Sequence, residues 1–186
     1  MADSAEIFSA ILARQKKALS FHEQLCIIFN FLNLHGFKRL HEYQYRTESD
    51  TMQEIHRHYI KQHDRLIRVV PVESANEIPN DWYNAERNEV DGSIISQYAK
   101  REFQAYVQWE SDTLDELERH AHELMEIGEV KDFAFVKAMV RDVAKELERA
   151  KRLYYKMSAT GFDVAFIEEM QDEIHDKFKE KLKKCR

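Results

Sequence analysis

The 186-residue chain is long enough for one domain with a core, and its hydrophobic content of 44%, with 11% aromatic residues, excludes a disordered protein. Its charged content of 33% and net charge of −6 predict a mildly acidic surface, so nucleic-acid binding is not expected. No apolar run reaches membrane-spanning length and the N-terminus has no signal-peptide character, so we expect a cytoplasmic protein that does not enter a membrane.

Residues that break helices are scarce, because the whole chain contains only 4 glycines and 2 prolines. β-folds need frequent glycine and proline turns, whereas long helices avoid both residues. The composition therefore predicts an all-α protein. Its predicted helices are separated at Gly36, Gly92, Gly128 and Gly161.

The first predicted helix runs from about Ser4 to about Leu34. Asp3 and Glu6 have the spacing of a capping box, which marks a helix start. Apolar residues recur along this segment at helical spacing. Gln15 and His22 fall within the same stripe, so polar side chains are expected on its buried face.

The second predicted helix runs from about Phe37 to about Arg68. Gly36 precedes it and suits the left-handed position that ends a helix. The direction defined by its apolar residues also contains His41, Gln44 and Glu48. This helix is therefore expected to fold back on the first and to bring further polar groups inside.

A long connection, residues 69–92, follows the second helix and contains both prolines. Connections of this length are uncommon in compact domains, but in helical bundles they carry the chain back to the opposite end. Trp82 and Tyr83 are expected to hold the connection against the bundle. Ser93 is the expected N-cap of the third helix.

The third and fourth predicted helices form a second hairpin. Thr113 lies at the centre of the apolar stripe of the third helix, and Glu110 lies at its margin. The fourth helix, from about Val130 to about Met157, has Glu146 only at the edge of its stripe. We therefore expect residues 1–157 to form a four-helix bundle.

Residues 158–186 are expected to add a fifth helix with a basic end. Its narrow apolar face is typical of packing on the outside of a bundle or against another copy of the chain. The basic residues favour a solvated tail that complements the helix C-terminus, with contact to an acidic partner or nucleic acid as the alternative.

Two long helical hairpins, a long crossover and an added fifth helix resemble the ferritin-like superfamily in architecture. The resemblance implies a carboxylate on the first and third helices and Glu-x-x-His on the second and fourth. In this chain Glu48 and Glu146 begin the corresponding segments. Thr51 and Arg149 stand where the superfamily has histidine.

Counting along the two helices from Gly36 places His22 and Glu48 at nearly the same height, with Glu110 also near mid-helix. This arrangement favours a buried hydrogen-bonded network without metal or other cofactor, which joins His22 or His41 to Glu48 and includes Gln44 and Thr113. The alternative is a site for one metal ion, because a histidine and two carboxylates at one height can bind one, with iron or manganese the candidates implied by the resemblance.

Three further histidines, His56, His58 and His63, lie near the end of the second predicted helix. Their spacing favours a solvated face, with a surface metal site or a pH-sensitive contact as the alternative. His63-Asp64 also invites comparison with helical phosphohydrolases, but Asp64 is expected to face away from the apolar stripe.

The leading hypothesis from sequence is a non-enzymatic scaffold or interaction protein that forms homo-oligomers and binds a protein partner, in the manner of small helical proteins of bacteria and their phages. The alternative hypothesis is a metal-binding ferritin-like oxidoreductase or iron-binding protein with a divergent site at His22, Glu48 and Glu110.

Overall fold

The protein is all-α, as predicted. The computed structural model describes residues 3–74, 78, 80, 82 and 86–184. These residues form five α-helices and a 3-10 turn at Arg87–Glu89. The helices are α1 (Ser4–Phe31), α2 (His35–His63), α3 (Gly92–Glu126), α4 (Val130–Ala159) and α5 (Val164–Lys184). Within the described residues, no helix is both long and apolar enough to cross a membrane.

The helices pair as two hairpins, α1 with α2 and α3 with α4. Ser4 at the start of α1, His63 at the end of α2 and Asp132 at the start of α4 contact one another, so these three termini share one end of the bundle. The connection after α2 returns the chain to the other end. Trp82 packs there against Phe31 of α1, 4.8 Å between ring centroids, as expected; Tyr83 lies outside the described residues.

The ends of the helices follow from local side chains. Asp3 and Glu6 form the predicted capping box on α1. The expected N-cap of α3 is wrong: the carboxylate of Asp91, and not the hydroxyl of Ser93, accepts the hydrogen bond from the Ile94 N–H at 2.9 Å. Asp91 is the better cap because its extended backbone directs the carboxylate at the exposed amides of the first turn.

Gly36 does not terminate α1 as predicted. Asn33 takes the left-handed conformation in the turn, with φ 60°, and Gly36 lies in the first turn of α2. The Cβ of any larger residue at this position would overlap the backbone carbonyl of Gln171 in α5. The glycine is needed because two helices approach closely, which periodicity within one helix does not reveal.

The fifth helix packs lengthwise along α2, on the outside of the bundle. The Phe178 ring lies 5.4 Å from that of Tyr43, and the Gly36 N–H donates to the Gln171 side-chain oxygen at 2.8 Å. The apolar face of α5 is buried by these contacts within the chain: Ile167, Met170, Ile174, Phe178 and Leu182. This face is therefore not available to a second copy.

The core is divided into two apolar clusters. One surrounds Phe29, Phe37 and Phe103 at the α5 end, and the other surrounds Phe8 and Leu124 at the opposite end. Between them lies a belt of buried polar side chains contributed by α1, α2 and α3: Gln15, His22, His41, Gln44, Glu48, Glu110 and Thr113. Functional groups are thus concentrated at the middle of the bundle.

Candidate metal centre

Each of the four bundle helices contributes an oxygen-bearing side chain to one half of the polar belt. They are Gln15 of α1, Glu48 of α2, Glu110 of α3 and Glu146 of α4. Gln15, Glu48 and Glu110 are almost completely buried, with 3%, 9% and 2% of their surface exposed. We call these four side chains the central set.

The register of the first hairpin differs from the one expected. His22 lies level with His41, with 3.1 Å between their Nδ1 atoms. Gln15 and Glu48 lie about two turns further from the hairpin turn on their respective helices, and both line the same cleft. The expected height of His22 was wrong because the turn is centred on Asn33 and not on Gly36.

The three carboxyl groups of this set share a poorly solvated interior. Burial, with a contribution from Glu146, raises the pKa of Glu48 from 4.5 to about 8. Burial and the charges of Glu146 and Glu48 raise the pKa of Glu110 well above its usual range. Burial also raises the pKa of Glu146, which nearby Arg149 opposes. The three groups therefore retain protons that exposed carboxyls release.

Two arginines lie nearby, but their hydrogen bonds go to other groups. Arg14 donates to the Thr113 hydroxyl at 2.7 Å and to the Trp109 carbonyl at 3.0 Å. Arg149 donates to the Gln44 side-chain oxygen at 3.3 Å. Oε1 of Glu110 has no hydrogen-bond donor in the described part of the chain. Buried acceptors without donors are costly, and a cation satisfies them.

The Gln15 side-chain oxygen likewise has no hydrogen-bond donor among the described residues. It belongs to the lining of a cleft of about 310 Å³ that also contains Glu48 and Glu146. The cleft opens between α2 and α4, with exposed Glu54 on its rim. It gives a hydrated ion a route from solvent to the central set.

The donor chemistry decides which metal centre this set fits. Thr51 and Arg149, at the histidine positions of Glu-x-x-His, both line the cleft. A di-iron centre with two histidines therefore does not fit these residues. Oxygen-only donors suit one hard or borderline divalent ion such as Mn²⁺ or Fe²⁺. In the described parts of the chain the oxygens of the central set do not all lie within 4.8 Å of one another. Side chains must therefore rotate to bring them around an ion.

The sequence-predicted trio is only partly brought together. The charge of Glu48 contributes to the raised pKa of Glu110, so these two carboxyls lie near each other. His22 pairs with His41, and no three-ligand group in the described chain joins His22 to the two glutamates. Metal binding at the predicted residues stays a prediction, and Gln15 occupies the position on α1 that was expected for His22.

The polar side chains of the predicted hydrogen-bonded network have other partners than those expected. Gln44 donates to the Tyr106 hydroxyl at 3.4 Å and accepts from Arg149. Thr113 accepts from Arg14. His41 contacts His22, and the Nε2 atoms of both histidines have no hydrogen-bond partner among the described residues.

Sequence reasoning missed a second polar cluster at the shared end of α2 and α4. Asp132 is fully buried there, and its carboxylate oxygens lie within hydrogen-bond distance of His58 and His63. The expectation of a solvated histidine face is therefore wrong for His58 and His63. No signal in either helix alone reveals this cluster, because its partners lie about 70 residues apart in the chain. Gln15 and Glu146, in contrast, had positions within or beside the predicted stripes.

Comparison with known proteins identifies the fold. Searches with the sequence match no family model and no curated protein. A ferritin of Archaeoglobus fulgidus engineered into a closed form matches the structure with a TM-score of 0.73 at 12% identity, covering 94% of this chain and 97% of that one. The M. penetrans ferritin gives 0.73 at 11% identity, covering 95% and 97%. An open-pore ferritin of Archaeoglobus fulgidus gives 0.68 at 15% identity, covering 94% and 98%.

Proposed function

We propose that the protein binds a divalent metal ion, Fe²⁺ or Mn²⁺, at the middle of the bundle through Glu48, Glu110 and Glu146, with Gln15 as a neutral ligand. The proposal is supported by the ferritin-like architecture, which the chain shares with solved ferritins over nearly its whole length. The observation that carries it is an oxygen-bearing side chain from each of four helices, three of them buried, with acceptors on α1 and α3 that have no hydrogen-bond partner among the described residues.

Electrostatics supports the binding of a cation. Glu48, with a pKa of about 8, is largely protonated at pH 7 in the metal-free protein. A divalent ion in the centre replaces these protons and removes the mutual repulsion of the carboxylates. Binding is therefore accompanied by proton release and becomes tighter as pH rises from 6 to 8. The ion, when bound, supplies Lewis acidity or a redox couple.

Metal analysis tests the proposal directly. The chelator-treated protein is loaded anaerobically with Fe²⁺ or Mn²⁺, desalted and analysed for bound metal. Glu48→Gln and Glu110→Gln should each lose one equivalent of metal relative to wild type. Glu54→Gln is the matched control, because this exposed carboxylate lies on the cleft rim of the same helix and should retain the wild-type stoichiometry. Equal metal content in wild type and both central variants would overturn the proposal.

Self-association is a second proposal, in which the metal-binding bundle forms homo-oligomers. It is supported by the similarity to ferritins and by apolar side chains that remain exposed on several helices: Ile27, Ile60, Met125, Val130 and Tyr155. Light scattering measures the mass. Ile27→Lys or Tyr155→Lys should reduce the mass of the oligomer. Lys179→Glu on α5 should leave it unchanged, since the apolar face of α5 is buried within the chain. A monomeric wild-type protein would refute self-association.

A further inference from the structure

The second polar cluster is built around the carboxylate of Asp132. This residue lies in the first turn of α4 and none of its surface is exposed. Its Oδ1 lies 2.8 Å from Nε2 of His58, and its Oδ2 lies 2.7 Å from Nε2 of His63. The Ser4 hydroxyl also donates to Oδ2 at 2.7 Å. Three helix termini thus converge on one buried carboxylate.

The rings of both histidines are held in place by aromatic neighbours. His58 stacks on Phe135 with 4.1 Å between centroids and an angle of 10°. His63 stacks on Tyr59 with 4.5 Å between centroids. Fixed rings that present Nε2 to one carboxylate form a preorganised arrangement, which a solvated histidine face does not need.

A third ligand completes a metal-binding geometry. Glu129 precedes α4, and one ligand atom from each of His63, Glu129 and Asp132 lies within 4.8 Å of the others. A tetrahedral ion with bonds of about 2.0–2.1 Å needs ligand atoms roughly 3.3 Å apart. Small side-chain movements therefore close this set around an ion. The C-terminus of α2, where His63 lies, also favours a cation.

Catalysis by a serine–histidine–aspartate triad is excluded by the same contacts. In a triad the carboxylate meets one ring nitrogen and the serine meets the other. Here Ser4 and Asp132 both approach Nε2 of His63, at 3.4 and 2.7 Å. Ser4 also donates its proton to the carboxylate, so its oxygen is not activated as a nucleophile.

We propose that His63, Glu129 and Asp132 bind a Zn²⁺-class ion at the shared end of α1, α2 and α4, with His58 and Ser4 orienting the Asp132 carboxylate. The ion replaces the proton between Nε2 of His63 and Oδ2 of Asp132, and that proton passes to solvent. One imidazole and two carboxylates suit zinc and its neighbours. The site is thus chemically distinct from the oxygen-only set at mid-bundle, and the proposal does not depend on metal binding there.

Bound metal at this site ties the ends of three helices together. Ser4 belongs to α1, His63 to α2, and Asp132 to α4. A ligand that binds only the folded state stabilises it by RT ln(1 + [L]/Kd), where [L] is the concentration of free ligand. The expected role is therefore structural: a zinc ion closes the end of the bundle opposite α5.

The test is a titration of chelator-treated full-length protein with ZnCl₂ by calorimetry, together with Co²⁺ absorption as a direct probe of tetrahedral coordination. Wild type should bind one equivalent at this terminal site and show the visible bands of four-coordinate Co²⁺. His63→Gln and Glu129→Gln should each lose that equivalent and the Co²⁺ bands. His58→Gln, which removes only an orienting contact, should raise the Kd about 10–100-fold. Asp132→Asn removes the third proposed ligand. If this variant fails to fold, His63→Gln and Glu129→Gln still test whether the site binds Zn²⁺.

Matched controls separate this site from the central set. His56→Gln changes a neighbouring histidine on α2 that is not among the ligands, and should bind Zn²⁺ as wild type does. Glu48→Gln and Glu110→Gln should retain the Co²⁺ bands even if they lose Fe²⁺ or Mn²⁺. Folded wild type without Zn²⁺ binding, or undiminished Co²⁺ bands in His63→Gln, would overturn the inference.

Discussion

Replacing Glu48 with glutamine should change how the stability of the metal-free protein depends on pH. The folded state raises the pKa of this carboxyl from 4.5 to about 8, so the folded protein holds a proton that the unfolded chain releases. Stability is therefore lost as pH rises from 4.5 through 8. The loss between pH 5 and pH 7 is about 2 kcal/mol, and about 1 kcal/mol more is lost by pH 8.

The buried histidine pair has the opposite dependence. Burial lowers the pKa of His22 from 6.5 to about 3, and burial with the charge of His22 lowers that of His41 as well. Their unfolded forms bind protons that the folded forms do not, so stability is lost as pH falls below 6.5. His22 alone contributes a gain of about 2 kcal/mol between pH 5 and pH 7.

Several buried groups contribute to the profile of wild type, so the comparison with Glu48→Gln isolates the contribution of Glu48. The free energy of unfolding of both proteins is measured by urea denaturation with chelator present. Between pH 5 and 7 that of Glu48→Gln should rise by about 2 kcal/mol relative to wild type, and by about 1 kcal/mol more by pH 8. Glu54→Gln, an exposed carboxylate on the same helix, should follow wild type. Parallel profiles for wild type and Glu48→Gln would refute the reasoning.

Three further predictions concern a close contact between helices, a helix cap and a buried thiol. Gly36→Ala should lower the free energy of unfolding by more than about 2 kcal/mol, because the new Cβ overlaps a carbonyl of α5. Gly92→Ala should lower it less, because its Cβ would meet only the side chain of Val164, at 3.3 Å. Asp3→Ala should cost about 1 kcal/mol in urea denaturation through the lost cap, and Asp3→Asn should cost less. In a Cys185→Ser background, thiol reagents at pH 8 should modify Cys26 only slowly until the protein unfolds, because burial raises its pKa to about 12. Unchanged urea midpoints or immediate modification would contradict these expectations.

Local signals were sufficient to predict the helices. Gly128 and Gly161 adopt left-handed backbone with φ 80° and 66°, at the two breaks where they were expected. The Asp3–Glu6 capping box and the apolar periodicity of each helix likewise depend on residues a few positions apart. Interactions between residues a few positions apart leave a local pattern in the sequence, and that pattern is enough to predict them.

The positions of one helix relative to another were not recoverable in the same way. Whether His22 faces Glu48 or His41 depends on which residue centres the hairpin turn, and Asn33 took a position that glycine was expected to occupy. Periodicity assigns a side chain to a face but not to a height. The sequence therefore predicted the polar interior correctly and its pairing incorrectly.

The two candidate sites differ in the kind of information that each requires. The central set lies where four stripes meet, so polar residues within or at the edge of each stripe are enough to suggest it. The terminal site instead depends on the end of α2 and the start of α4 lying at the same height, so that Asp132 meets histidines 69 and 74 positions before it. Both hairpins must be complete and correctly docked before His63 and Glu129 approach each other. An ion at this site therefore binds only the fully assembled bundle, which is why Zn²⁺ should stabilise the whole fold and not a single helix.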